Sequence, residues 1–122
     1  MILVDTSVWV DHFKHDDRRL TGLLLDMQVL CHPFVIGELA CGKLRQRGVI
    51  LELLTNLTQA PTARHEEVLA LVGTRKLMGS GIGWIDAHLL ASTALAGASL
   101  WTKDNALSVQ AKRLGIDPGR AI

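Results

Sequence analysis

The chain has 122 residues, 48% of them hydrophobic, and a formal net charge of +1 at pH 7. That length suits one domain, expected over 1–122, and that apolar content excludes a disordered chain. A near-neutral balance lacks the strongly basic signature of a general nucleic-acid binder. No stretch reaches the roughly 20 apolar residues of a membrane span, and no basic region precedes the apolar start, so no membrane association is expected and the cytoplasm is the default location.

Residues 2–5 read as a short buried strand. Thr6 or Ser7 can cap a first helix to about His15, and Asp16 or Asp17 a second that carries Leu20, Leu23 and Leu24 at helical spacing. Gln28 to Cys31 reads as the second strand. Pro33 suits the first turn of a helix expected to run to about Arg47, with Gly48 breaking it. Val49, Ile50, Leu53, Leu54 and Leu57 form a wide helical stripe. After Pro61 a helix is expected from about Arg64 to Met78, then a glycine-rich connector over 79–83. Trp84 to about Ala96 forms a helix rich in small residues, and Ser99 to Thr102 the third strand. Asp104 or Asn105 opens a last helix to about Leu114, which Gly115 closes. Strands alternate with helices, and each strand is a continuous apolar run. This predicts an α/β layer fold with a small, mostly parallel central sheet flanked by helices. Cys31 and Cys41 are assigned to packing, since a zinc site wants four ligands and a cytosolic disulfide is rare.

Four acids stand in apolar settings. Asp5 ends the run Met1-Ile2-Leu3-Val4, and Asp104 follows Leu100-Trp101-Thr102-Lys103. Both fall at or just past strand C-termini, where open α/β sheets bind ligands. Glu38 has Phe34, Val35, Cys41 and Gly42 as helical neighbours, and Asp86 has Ile82, Gly83, Leu89 and Leu90, so both are expected to face inward. Each acid also has a structural explanation. Asp5 and Asp104 can cap helices, and Glu38 and Asp86 can pair with a buried arginine. A single shared explanation is a hard divalent cation, because clustered carboxylates repel one another without one and oxygen-only ligands favour magnesium or manganese. Such an ion suits phosphodiester hydrolysis.

These residues carry a family resemblance. Ile2-Leu3-Val4-Asp5-Thr6-Ser7-Val8-Trp9, Gly37-Glu38-Leu39, Asp86-Ala87 and Trp101-Thr102-Lys103-Asp104 resemble, in order and spacing, the four motifs of PIN-domain ribonucleases, specifically VapC-type toxins. The resemblance implies a three-layer PIN-like fold and a Mg²⁺ or Mn²⁺ site made by Asp5, Glu38, Asp86 and Asp104. It also implies RNA cleavage, often of tRNA or ribosomal RNA, homodimerisation, and inhibition by a cognate antitoxin within a toxin–antitoxin hetero-oligomer. Two departures stand out: His88 occupies a position that is aliphatic in many relatives, and Asn105-Ala106-Leu107 replaces a later Asp-Phe. Thr6, Ser7 and Thr102 can orient ligands or waters, and Lys43, Arg45, Arg47 and Lys103 can hold RNA phosphates. Part of the apolar set Val10, Phe13, Leu20, Leu23 and Leu24, with the Val49–Leu57 stripe, is a candidate groove for an antitoxin segment. Two other readings remain open: a binding module whose acidic pocket receives a basic partner segment, and a DNA structure-specific nuclease.

Overall fold

Four short strands, β1 (Ile2–Val4), β2 (Val29–Cys31), β3 (Thr58–Gln59) and β4 (Ser99–Trp101), pair in the order β3-β2-β1-β4, every pair parallel. The computed structural model describes all of residues 1–122. The register sets Leu3 beside both Leu30 and Leu100, and all three are buried. A parallel sheet covered on both faces needs such doubly apolar strands.

The helices are α1 (Thr6–His15), α2 (Arg18–Leu25), α3 (Pro33–Cys41), α4 (Arg47–Asn56), α5 (His65–Thr74), α6 (Trp84–Ala96) and α7 (Asn105–Arg113). Helix α3 packs on α1 and α4, while α5 packs on α6, which lies against β4. The core joins Leu3, Val4, Val8, Leu20, Val35, Leu89, Leu90, Leu100 and Leu107 around the sheet. Cys31 is part of it, and Cys41 is exposed; both are free thiols. No helix is long and apolar enough to cross a membrane.

The chain leaves β1 on one side for β2 and β3, then returns to the other side for β4. The order of strands therefore reverses between β1 and β4, and the crevice beyond their C-terminal ends is the expected ligand position. Asp5 follows β1 and Asp104 lies just past β4.

Several expected boundaries need correction. The helix opened by Pro33 ends at Cys41, not near Arg47. Gly42 is extended there, at φ −90° and ψ −178°, and its N–H closes on the Leu39 carbonyl. Gly48 breaks nothing: it lies in the first turn of α4, which begins after Gln46 adopts a left-handed φ of 53°. Lys43, Arg45 and Arg47 therefore do not continue the helix of Glu38. Helix α5 stops at Thr74 rather than Met78. Lys76 turns left-handed at φ 54°, the Leu77 N–H reaches the Val72 carbonyl, and Leu77 is buried, which is a Schellman ending with its apolar contact. The fourth strand, β3, was not expected. It has two exposed residues, Thr58 and Gln59, and so offers no apolar run.

His32 shows how the frame is pinned. Its Nδ1 accepts the Phe34 N–H at 2.9 Å and so caps α3. Nε2 therefore carries the proton and donates to Ser92 Oγ at 3.0 Å, tying β2 to α6. Burial pushes the imidazole down to about 4, so the ring is neutral at pH 7.

Candidate active site

Asp5 occupies the N-cap position of α1, yet its side chain caps nothing. Its carbonyl accepts the Val8 and Trp9 N–H groups, while the carboxylate turns to the sheet end. Asp5 Oδ2 accepts from Ser7 Oγ at 2.7 Å and from Thr102 Oγ1 at 2.7 Å. Each hydroxyl is fixed from behind: Lys103 N–H donates to Ser7 Oγ at 3.0 Å and Asp104 N–H to Thr102 Oγ1 at 3.0 Å. Both hydroxyl protons are thus spent on one carboxylate oxygen, and Oδ1 makes no hydrogen bond within the chain. Asp5 is 6% exposed, so a buried carboxylate is held rigidly with one oxygen to spare.

Asp86 sits at the third position of α6, where Oδ2 accepts the Gly83 N–H at 3.1 Å. Burial first, then the nearby charges of Asp5 and Asp104, hold its carboxyl above the usual range, against the lowering effect of the Gly83 bond. That response places the three aspartates in one electrostatic neighbourhood. Asp104 is exposed and caps α7, its Oδ1 accepting the Leu107 N–H at 2.9 Å, so a helix-cap role coexists with the action of its charge on Asp86.

Glu38 corrects an expectation. It is exposed rather than turned into the core: of its helical neighbours only Val35 is buried, Phe34 is half-buried, and Cys41 and Gly42 are exposed. Its Oε1 accepts from Thr6 Oγ1 at 2.8 Å, which ties it to the residue after Asp5. No three acidic, histidine or cysteine side chains stand close enough to grip one ion as the chain rests. The donor set itself suits a hard cation: every candidate ligand is a carboxylate oxygen, and burial, then the charges of Asp5 and Asp104, disfavour the bare Asp86 anion.

The cations separate into two groups. Lys43 and Arg45 line a groove of about 570 Å³ with Glu38, Thr6 and Lys14. Arg47 instead donates to the Ala40 carbonyl at 3.2 Å, and Lys103 Nζ pairs with Asp11 and lies 3.7 Å from Asp17. Asp17 is in turn held by Arg19, whose hydrogen bonds bring its carboxyl down to about 2. Arg19 rests over the Trp101 ring at 5.0 Å. Lys103 therefore clamps the loop between β4 and α7 rather than standing free. Nothing in the linear sequence marks Asp11 and Asp17 as its partners, because they lie about 90 residues away and meet it only across the β1–β4 pair.

His88 is buried with Nδ1 unpartnered, packed near-perpendicular to Phe34 and Trp84 at 4.8 Å and 5.0 Å. It belongs to an aromatic cluster rather than to the carboxylates.

A family model described as PIN domain matches residues 2–113. Among curated proteins, Ribonuclease VapC32 of two Mycobacterium tuberculosis strains, CDC 1551 / Oshkosh and ATCC 25618 / H37Rv, is similar to this chain. Each is 53% identical over 117 residues, which covers 95% of this chain and 94% of the relative.

Proposed function

The chain belongs to the PIN-domain family, and from that premise we propose that it is a Mg²⁺- or Mn²⁺-dependent endoribonuclease acting as the toxin of a toxin–antitoxin pair. The observation that carries this reading is the hydroxyl-held Asp5 at the reversal of strand order, with Asp86 near it: burial, then the charges of Asp5 and Asp104, raise the Asp86 carboxyl. The similarity to proteins named Ribonuclease VapC32 supports RNA as substrate.

In this reading Asp5, Glu38, Asp86 and Asp104 hold the cation. A bound divalent ion supplies Lewis-acid polarisation of the phosphodiester and an activated water. Ser7 and Thr102 keep Asp5 Oδ2 engaged, which aims Oδ1 at the crevice, and Thr6 restrains Glu38 in the same way. Lys43 and Arg45, joined by Lys14, make no salt bridge and line the groove beside Glu38, so they suit substrate phosphates. Lys103, paired with Asp11, serves the frame, while Arg47 keeps its charge unpaired beyond one bond to the Ala40 carbonyl. The target class is tRNA or ribosomal RNA, and the setting is the cytoplasm, with 1–122 as a single catalytic domain.

The partner is a cognate antitoxin. Trp9, Phe13, Leu24, Ile50, Leu53 and Leu57 line an open apolar groove of about 310 Å³ where α1, α2 and α4 meet. This is the face on which an amphipathic segment would seat. It includes Phe13 and Leu24 and, from the Val49–Leu57 stripe, Ile50, Leu53 and Leu57 of the set expected there, while Leu20 is fully buried core. A homodimer and a toxin–antitoxin hetero-oligomer are the assemblies this implies.

The test is a parallel digest of RNA and DNA pools by antitoxin-free protein, with Mg²⁺ or Mn²⁺ and with EDTA. RNA should shorten to discrete fragments only with metal, and DNA should stay intact. Cutting of DNA in preference to RNA would make the protein a DNA nuclease. Cleavage of neither would leave the acidic pocket as a receptor for a basic segment.

A further inference from the structure

A second groove borders Glu38 as the cationic groove does, and its character is different. It has a volume of about 580 Å³ and is lined by Phe34, Gly37, Glu38, Cys41, Trp84 and Ile85. Glu38 is the only charged residue on its wall. Trp84 opens α6 two residues before Asp86. It is 40% exposed, whereas Trp9 and Trp101 are 3% and 5% exposed. Burial alone would have hidden an indole of this size.

The ring is also held in place. His65 meets it at 5.0 Å and 53°, and His88 at 5.0 Å and 86°. His88 is braced by Phe34 at 4.8 Å, and Phe34 by the buried His32 at 5.1 Å. An exposed aromatic with a rigid backing is a surface for stacking a flat group, not a mobile side chain.

The two grooves share Glu38. One presents Lys14, Lys43 and Arg45; the other presents Trp84 and Phe34. A polymer with an anionic backbone and flat, uncharged rings matches both walls at once. We propose that Trp84 is a base-stacking platform for a nucleotide beside the scissile phosphate of single-stranded RNA. This deepens the nuclease reading and rests on it. Stacking accepts any base, so Trp84 fixes the position of the strand more than its sequence.

Fluorescence tests this directly, because Trp84 is the one exposed tryptophan of the three. The protein is Asp5→Asn with Mg²⁺, whose expected loss of cleavage rate keeps the strand whole during the titration. The probes are a short oligoadenylate and the same chain carrying abasic sites. The intact strand should quench tryptophan emission, and the abasic strand should bind about tenfold more weakly with little quenching. Trp84→Phe should keep most of the affinity and lose the quenching. Trp84→Ala should lose about tenfold in affinity and, with Asp5 restored, raise KM by a similar factor. Unchanged RNA affinity in Trp84→Ala, with cleavage intact, would overturn the platform and leave the nuclease standing. Trp84→Ala that turns a dimer into monomers at unchanged RNA affinity would assign the groove to a second copy and overturn it too. Failure to bind or cut any RNA would remove both readings.

Discussion

Asp5→Asn should lower the rate of RNA cleavage by on the order of a thousandfold while leaving the fold intact. A divalent ion contributes several kcal/mol of transition-state stabilisation, and each 1.36 kcal/mol is about tenfold in rate. Asp5 is the most buried of the four acids and the most constrained, with two hydroxyls on Oδ2. Asparagine keeps the shape and an acceptor oxygen for Ser7 and Thr102, but it removes the charge and offers an amide where an anionic oxygen would meet the cation. The fold should tolerate this, since a buried charge is exchanged for a neutral isostere. Initial rates on a defined RNA, with circular dichroism alongside, decide the matter. A rate within tenfold of the parent protein would remove Asp5 from the chemistry.

Asp86→Asn should also suppress cleavage, yet it should stabilise the protein in EDTA. At pH 7 the Asp86 carboxylate is partly buried and faces the charges of Asp5 and Asp104, and both effects raise its pKa. A group whose folded pKa is raised contributes stability below its unfolded pKa and loses it as pH rises through the folded value. The metal-free parent is therefore weakened at neutral pH. Asparagine relieves the repulsion and can still accept the Gly83 N–H, so the start of α6 is preserved. A gain of about 0.5–1 kcal/mol, or roughly 2–6 °C in melting temperature, is expected at pH 7. The gain should vanish at acid pH, where the parent carboxyl is neutral as well. An equal or lower melting temperature for the variant in EDTA at pH 7 would show that repulsion does not govern this cluster. Loss of activity combined with gained stability is the pattern of a site shaped for function rather than for packing.

Much of this site is legible in the sequence because strand ends and acids are both local signals. Asp5 and Asp104 follow short apolar runs, and parallel topology then carries them to one edge. Helix α6 could be read to its ends, Trp84 and Ala96, since Gly83 and Gly97 flank it. Glu38 was less legible. Helical phase predicts which side of α3 carries apolar neighbours, but not that Glu38 stays exposed there together with Cys41 and Gly42. The two-residue β3 has no periodicity to read. Helix α3 ended early because Gly42 left the helix before the charged segment began, while Gly48, an equally plausible breaker, was accommodated in a first turn. Lys103 looked free in the sequence, and only the tertiary approach of Asp11 and Asp17 shows otherwise. Trp84 stood in view beside Asp86, but a tryptophan near a helix start reads as core until its exposure is known.

That the four acids serve one divalent cation is tested most directly by titrating Mn²⁺ into metal-stripped protein and measuring bound ion at equilibrium. The parent should bind saturably and its melting temperature should rise with Mn²⁺ by mass action. Asp5→Asn should weaken that binding by more than about tenfold. Binding that is absent from the parent, or equal in the parent and in Asp5→Asn, would contradict a shared metal site.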